Sequence, residues 1–78
     1  MQVKLLLFAS YKDAVGSSEL TLELPAGSRA QDAVTILRDR CARIPERPVV
    51  AINLDYSSLN DVLNDGDELA LLPPVAGG

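Results

Sequence analysis

Leu20, Leu22 and Leu24 alternate with Glu19, Thr21 and Glu23. A period of two predicts a strand with one buried and one solvated face. Ahead of it, residues 2–9 form an apolar run in which Lys4 is the only charge. Its length and position, rather than any period, predict a mostly buried strand. Residues 10–16 are more polar and end in Gly16, which predicts a turn or one short helical turn. Pro25-Ala26-Gly27 breaks the second strand.

The period then changes. Ala30, Val34, Leu37 and Cys41 recur at i, i+4, i+7 and i+11, the apolar stripe of an amphipathic helix. Ser28 followed by Gln31 predicts a capping box at its start. Asp32 falls in the first turns and Arg38, Arg40 and Arg43 in the last ones, in the sense that complements the helix dipole. Pro45 and Pro48 forbid continuation. Cys41 lies on the stripe and reads as a small core residue.

Residues 49–53 (Val-Val-Ala-Ile-Asn) predict a short strand, and residues 54–63 a loop with a helical turn near 59–62. Asn64-Asp65-Gly66-Asp67 predicts a tight turn, because Asn, Asp and Gly tolerate positive φ. Residues 68–72 are the last strand, stopped by Pro73 and Pro74. The order is strand, strand, helix, strand, strand, an α+β arrangement with one main helix packed on one face of the sheet. The apolar runs 5–8 and 69–72 suit parallel central strands. Pairing the first and last strands in parallel would give a mixed sheet of ubiquitin-like β-grasp topology. The domain is expected over residues 1–72, with 73–78 as an extended tail.

Composition narrows what such a domain can do. Seventy-eight residues with net charge −4 make one small acidic domain. That charge argues against nucleic acid and anionic membrane surfaces as partners. Phe8, Tyr11 and Tyr56 are the only aromatics and make no stacking platform. The chain has no histidine and a single cysteine. No zinc site, Cys-His pair or serine triad can be assembled, and no internal disulfide can form, so no metal site is expected. Residues 1–9 lack a basic start and a cleavage site, and no segment is long enough to span a bilayer. A cytoplasmic location is expected.

The chemistry points to the tail. From Leu69 the chain reads Leu-Ala-Leu-Leu-Pro-Pro-Val-Ala-Gly-Gly without a charged side chain. A terminal carboxylate is a poor electrophile until it is activated, for example as an acyl-adenylate. An activating enzyme must then take in the tail. Gly77 and Gly78 lack Cβ and can thread a narrow channel. Pro73 and Pro74 stiffen the root of the arm, whose six residues span at most about 20 Å. Leu71, Leu72 and Val75 call for an apolar groove on a partner. The alternative is a frayed end without chemistry.

The Leu7-Phe8-Ala9 strand end, Lys12, Val15-Gly16, Ala51-Ile52-Asn53, Asp65-Gly66-Asp67-Glu68 and above all Pro73-Pro74-Val75-Ala76-Gly77-Gly78 carry a resemblance over nearly the whole chain. They resemble the MoaD-type sulfur carriers that form the small subunit of molybdopterin synthase. The resemblance implies that Gly78 is adenylated by an activating enzyme that uses ATP and is then converted to a thiocarboxylate. These are covalent intermediates, with no bound cofactor. It further implies that the tail enters a large catalytic subunit, in a heterotetramer of two small and two large subunits. There it delivers sulfur to a pterin precursor to build the molybdopterin dithiolene. Gly77 and Gly78 would thread the active site, while Pro73, Pro74, Val75 and Ala76 anchor the arm. Phe8, Leu72 and Tyr56, in a nearby loop, would form a docking patch. Lys12 would pair with a partner carboxylate. Core packing for Phe8 and Leu72, and plain solvation for Lys12, are the alternatives. Some relatives carry arginine at the position of Lys12, where lysine would weaken a bidentate contact.

Two other classes share parts of this pattern. A thiamin-pathway sulfur carrier also ends in Gly-Gly on a β-grasp, on chains that are usually shorter and without the proline pair. A ubiquitin-like protein modifier begins with the same adenylate. An interaction module whose tail does no chemistry is a further alternative, which deleting Gly78 would leave active.

Overall fold

The computed structural model describes residues 1–74. Seven elements follow in order: β1 (Gln2–Leu7), α1 (Ala9–Val15), β2 (Glu19–Glu23), α2 (Ala30–Arg40), β3 (Val49–Ile52), β4 (Asp55–Ser57) and β5 (Glu68–Leu72). One sheet runs β2-β1-β5-β3-β4. β1 and β5 pair in parallel, with Leu5 opposite Leu69 and Leu7 opposite Leu71. The other pairs are antiparallel. This is the expected β-grasp, an α+β fold with α2 over one face of a mixed sheet.

The residues facing α2 make the core. Val3, Leu5 and Leu7 of β1, Leu22 of β2, Val50 of β3 and Leu69 and Leu71 of β5 are buried there. They meet Ala30, Ala33, Val34 and Leu37 of α2, with Ile44 and Leu63 from the loops. Each buried leucine stabilises the fold by roughly 2 kcal/mol. Ala33 joins the predicted stripe. Cys41 is half-buried at the C-cap, where its thiol lies 3.5 Å from the Ala14 carbonyl oxygen. It packs against the edge of the core rather than inside it.

Four local expectations are corrected. First, where a turn or one short helical turn is expected, Ala9–Val15 form a two-turn helix, α1. So short a helix is unstable alone; the buried Tyr11 ties it down, and Gly16 at φ +88° closes it with an N–H bond to the Lys12 carbonyl of 2.8 Å. Second, Ser28 does not cap α2. Its hydroxyl turns back to donate to the Pro25 carbonyl at 2.7 Å, closing the Pro25–Ser28 turn. Arg29 is the N-cap, and its N–H donates to the Asp32 carboxylate at 2.8 Å. The orphan N–H groups of Ala30 and Gln31 go to the carbonyls of Asp61 and Leu59. Third, α2 ends at Arg40, so Arg43 lies in the following loop.

Fourth, the predicted loop after Asn53 contains β4, and the helical turn expected near 59–62 is a single turn at 59–60, closed by the Asp61 N–H on the Ser58 carbonyl at 3.0 Å. Ile52 pairs with Asp55, so Asn53-Leu54 is a two-residue hairpin turn with φ +51° and +74°. Both values are positive, as a type I′ turn requires. Asn53 also fastens this turn to β5. Its amide donates to the Asp67 carboxylate at 2.9 Å and accepts from the Glu68 N–H at 3.0 Å. Asp67 accepts from the Asn64 N–H at 2.7 Å. Asp65 accepts from the Gln2 N–H at 2.7 Å. The 64–67 turn is therefore a clasp joining the start of β1 to the β3–β4 hairpin.

Candidate functional site

Strand alternation decides what the uncovered face of the sheet displays. With Val3, Leu5 and Leu7 turned to α2, the opposite face of β1 carries Gln2, Lys4 and Leu6. Phe8 keeps extended dihedrals, φ −125° and ψ 153°, so it continues this face. β5 adds Glu68, Ala70 and Leu72, β3 adds Val49 and Ala51, and β4 adds Tyr56.

The registers arrange these residues in rows. Glu19, Leu6, Ala70, Ala51 and Tyr56 form one continuous row across all five strands. Leu72 and Val49 pair in the next row, and Phe8, one step beyond the Leu7–Leu71 pair, stands beside Leu72. On the other side of the first row lie Thr21, Lys4 and Glu68. The outer face thus has an apolar half and a polar half. The apolar half holds Phe8 at 47%, Val49 at 54% and Tyr56 at 81% exposure. A contiguous apolar patch of this kind marks an interaction surface.

The patch adjoins the root of the tail. β5 ends at Leu72, and Pro73, half-buried, and Pro74, exposed, lead away from it. Because β1 and β5 are parallel, Phe8 and Leu72 come to the same edge, as expected. Both are on the outer face, not in the core. Tyr56 is on the same face but on β4 rather than in a nearby loop; three strand spacings, about 14 Å, separate it from β1. Val75, Ala76, Gly77 and Gly78 lie outside the described residues.

Beside Phe8, on the side away from β5, an open cleft of about 460 Å³ is lined by Leu6, Leu7, Phe8, Ala9, Lys12, Ser18 and Glu19. Glu19 pairs with Lys4 at 3.4 Å. Lys12 has no ion pair among the described residues. Its neighbour Tyr11 is turned inward, and burial pushes the phenol above its ordinary pKa of 10.0. Ala9 begins α1 at φ +46°, a conformation an L-residue adopts at some cost. That bend swings the chain out of β1 and sets Phe8 and Lys12 on the two rims of the cleft. No cluster of metal-ligating side chains occurs among the described residues, and no described helix is long and apolar enough to cross a membrane.

Four patch residues escaped the sequence reading: Leu6, Ala70, Val49 and Ala51. A signal was present. Lys4 is exposed, so alternation from Lys4 places Leu6 and then Phe8 on the solvent side. The density of leucines hides this, since a run of apolar residues has no period.

Comparison with known proteins agrees with this geometry. The ThiS family matches residues 5–78. A molybdopterin synthase sulfur carrier subunit from Arabidopsis thaliana is 32% identical over 81 residues, covering 100% of this chain and 84% of the relative. SAMP1 from Haloferax volcanii superposes with a TM-score of 0.86 at 25% identity, over 100% of both chains. A chain in the complex of subunits 1 and 2 of molybdopterin-converting factor from Helicobacter pylori 26695 matches with a TM-score of 0.72 at 25% identity, again over 100% of both. The chain is a member of the ThiS family, and its relatives there include sulfur carrier subunits of molybdopterin synthase.

Proposed function

We propose that this chain is the sulfur-carrier subunit of a molybdopterin synthase, acting in the cytoplasm and without catalysis of its own. The observation that carries the reading is the convergence of the uncovered apolar half-face on the root of a tail ending in Gly-Gly. Such a face needs a protein partner. The Helicobacter pylori neighbour is described as a complex of two subunits, which supports a large subunit in that role.

In this reading Gly78 carries the chemistry. An activating enzyme transfers AMP from ATP to the terminal carboxylate, giving an acyl-adenylate with AMP as a good leaving group. A sulfur donor displaces AMP and leaves a thiocarboxylate. Sulfur is softer and more nucleophilic than the carboxylate oxygen, so it attacks a pterin precursor in the large subunit. Water then cleaves the acyl–sulfur bond, which leaves the sulfur on the precursor and frees the carboxylate for another cycle, and two cycles supply the two dithiolene sulfurs. Gly77 offers no side chain to obstruct the channel. Pro73, Pro74, Val75 and Ala76 anchor the arm. Phe8, Leu6 and Leu72 dock the body beside the entrance, Tyr56 extends the contact, and Lys12 meets a partner carboxylate. The assembly in this reading pairs two small with two large subunits.

The test is the intact mass of the chain after incubation with its activating enzyme, ATP and a sulfur source. A gain equal to one oxygen replaced by sulfur, lost on deletion of Gly78, is the expected result. Subsequent turnover with large subunit and pterin precursor separates this role from the thiamin pathway. Amide-linked adducts on lysines of other proteins, with no thiocarboxylate, would instead identify a modifier; the likeness to SAMP1 motivates that comparison.

A further inference from the structure

The charges of this chain are sorted along its length, and the sorting follows the tail. β1 and β5 end at the same edge. The C-terminus of α2 reaches that edge too, since the Cys41 thiol contacts Ala14 of α1, the helix that leaves the end of β1. The loop after α2 returns to it as well, because Val49 pairs with Leu72. Four of the seven basic side chains therefore stand at the tail end: Lys12, Arg38, Arg40 and Arg43. Three acidic ones accompany them, Asp13, Glu19 and Asp39, and the terminal carboxylate brings this end to neutrality. Glu46 and Arg47 lie between the two ends, where the Glu46 carbonyl accepts from the Gln31 amide in the first turn of α2.

The far end is acidic. Glu23, Asp32, Asp55, Asp61, Asp65, Asp67 and Glu68 gather around the start of β5, the β3–β4 turn and the start of α2. Lys4 and Arg29 are the basic side chains there, and with the Met1 ammonium beside Glu23 the excess is four negative charges. Of the arginines at the tail end, Arg38 is engaged by Glu46 at 3.5 Å and by the Ile44 carbonyl at 2.9 Å. Arg40 and Arg43 are exposed and make no ion pair among the described residues. They flank Cys41, at the end of α2 that reaches this edge through Ala14.

We infer that the protein which takes up the tail carries an acidic rim around its entrance, met by Arg40 and Arg43, and that the charge separation along the carrier steers it tail-first into that entrance. This rests on the sulfur-carrier reading and adds the chemistry of the partner's surface to it. A chain of net charge −4 is repelled as a whole by an acidic partner. Within a Debye length of about 8 Å, however, only the near end is felt. Tail-first approach then brings a neutral end with two exposed arginines to the rim, and approach by the far end is repelled. A field of this kind accelerates productive encounter by ten-fold or more and adds little to residence time.

The experiment is stopped-flow association of the full chain with the cognate large subunit, at roughly 150 mM and roughly 500 mM salt. Two double variants accompany the wild type, R40E/R43E and D55K/E68K, each first shown by its thermal unfolding curve to be folded. R40E/R43E is expected to associate about ten-fold more slowly at low salt, with the difference nearly gone at high salt. D55K/E68K changes the net charge by the same amount in the other direction, at the end that does not dock, and should change the rate less than about two-fold. Equal rates for R40E/R43E and wild type at low salt would overturn the inference. So would faster association of R40E/R43E, which would mean a basic rim, or an acceleration of D55K/E68K as large as the R40E/R43E loss, which would mean that net charge alone matters. Absence of any wild-type binding would overturn the sulfur-carrier reading itself, and the inference with it.

Discussion

The two faces of the sheet are made by the same strands, and leucine is common on both, yet α2 covers only one. On the covered face Leu5, Leu7, Leu69 and Leu71 are at most 1% exposed. On the other face their sequence neighbours Leu6, Phe8, Ala70 and Leu72 stand beside one another and beside the tail root. Adjacent apolar residues of one strand therefore do different work: one set holds the domain together and the other, in the proposed role, meets a partner. Hydrophobicity alone does not tell them apart. The parity of the residue number along the strand does.

The largest effects should separate the two faces directly. Leu5→Ala opens a cavity in the core and is expected to destabilise the domain by about 2–5 kcal/mol. In so small a domain that is enough to leave much of the population unfolded. Leu6→Ala, one residue on, should cost about 1 kcal/mol or less, because the half-buried side chain already faces solvent. Urea denaturation of the two variants measures the contrast. Comparable losses would mean that the faces are not functionally distinct.

Next in size is the clasp. Asn53→Ala removes the bonds to Asp67 and to the Glu68 N–H, and places a residue less tolerant of positive φ at +51°. A loss of about 2 kcal/mol is expected. Amide exchange at Glu68 and Asp67 should accelerate with it. Phe8→Ala makes the complementary case on the docking face. With 47% of the side chain already exposed, its effect on folding should be small. Its affinity for the large subunit should fall about ten-fold, the loss of a modest hot spot. Titration calorimetry of a folded variant checks this, and unchanged affinity would remove Phe8 from the interface.

How far these roles could be read in the sequence depended on what each element carries with it. β5 was legible to the residue, because Asn64-Asp65-Gly66-Asp67 opens it and Pro73-Pro74 closes it. β2 was legible from its alternation. α2 was legible as a helix but not in its cap. A serine signals a cap only when its hydroxyl is free, and Ser28 is committed to the turn before it. α1 was legible only as a turn or one short helical turn, and β4 was missed, for a shared reason: both depend on tertiary partners rather than on local propensity. α1 rests on buried Tyr11, and β4 on pairing with β3. In the site, the meeting of Phe8 and Leu72 followed from parallel pairing, while the proposed tail chemistry rests on the terminal Gly-Gly and on the family resemblance. Leu6, Val49, Ala51 and Ala70 required the register, which only the folded sheet supplies.

A smaller prediction concerns Tyr11, which carries α1 on the core. Its folded pKa is raised by burial. The neutral phenol is thus favoured in the native state, and this contribution is complete below the unfolded pKa near 10. As pH rises past that value the unfolded chain loses its proton first, and stability falls through the folded pKa. Unfolding free energy measured from pH 8 to 11 should decline more steeply for the wild type than for Tyr11→Phe. Parallel curves would place the phenol in water and loosen α1, with Phe8 and Lys12, from the body.

The smallest expected change has the opposite sign and tests where the docking surface stops. Leu54 sits at the tip of the β3–β4 hairpin at φ +74°, and its side chain is 90% exposed. An L-residue in that conformation costs about 1 kcal/mol, and there is no packing to offset it. Asn-Gly is the favoured pair for such a turn. Leu54→Gly should therefore relieve strain, less the extra entropy glycine gives the unfolded chain, for a net gain of a few tenths up to about 1 kcal/mol. The hairpin tip lies next to Ile52 and Glu68, at the start of β5 and so away from Leu72. If docking is confined to the apolar half-face at the tail root, the variant should be more stable and bind the large subunit as tightly as the wild type. If it is more stable and binds more weakly, Leu54 is a contact that holds its strained conformation for binding. The interface then runs the whole length of β3 and β4, and the polar half-face belongs to it too.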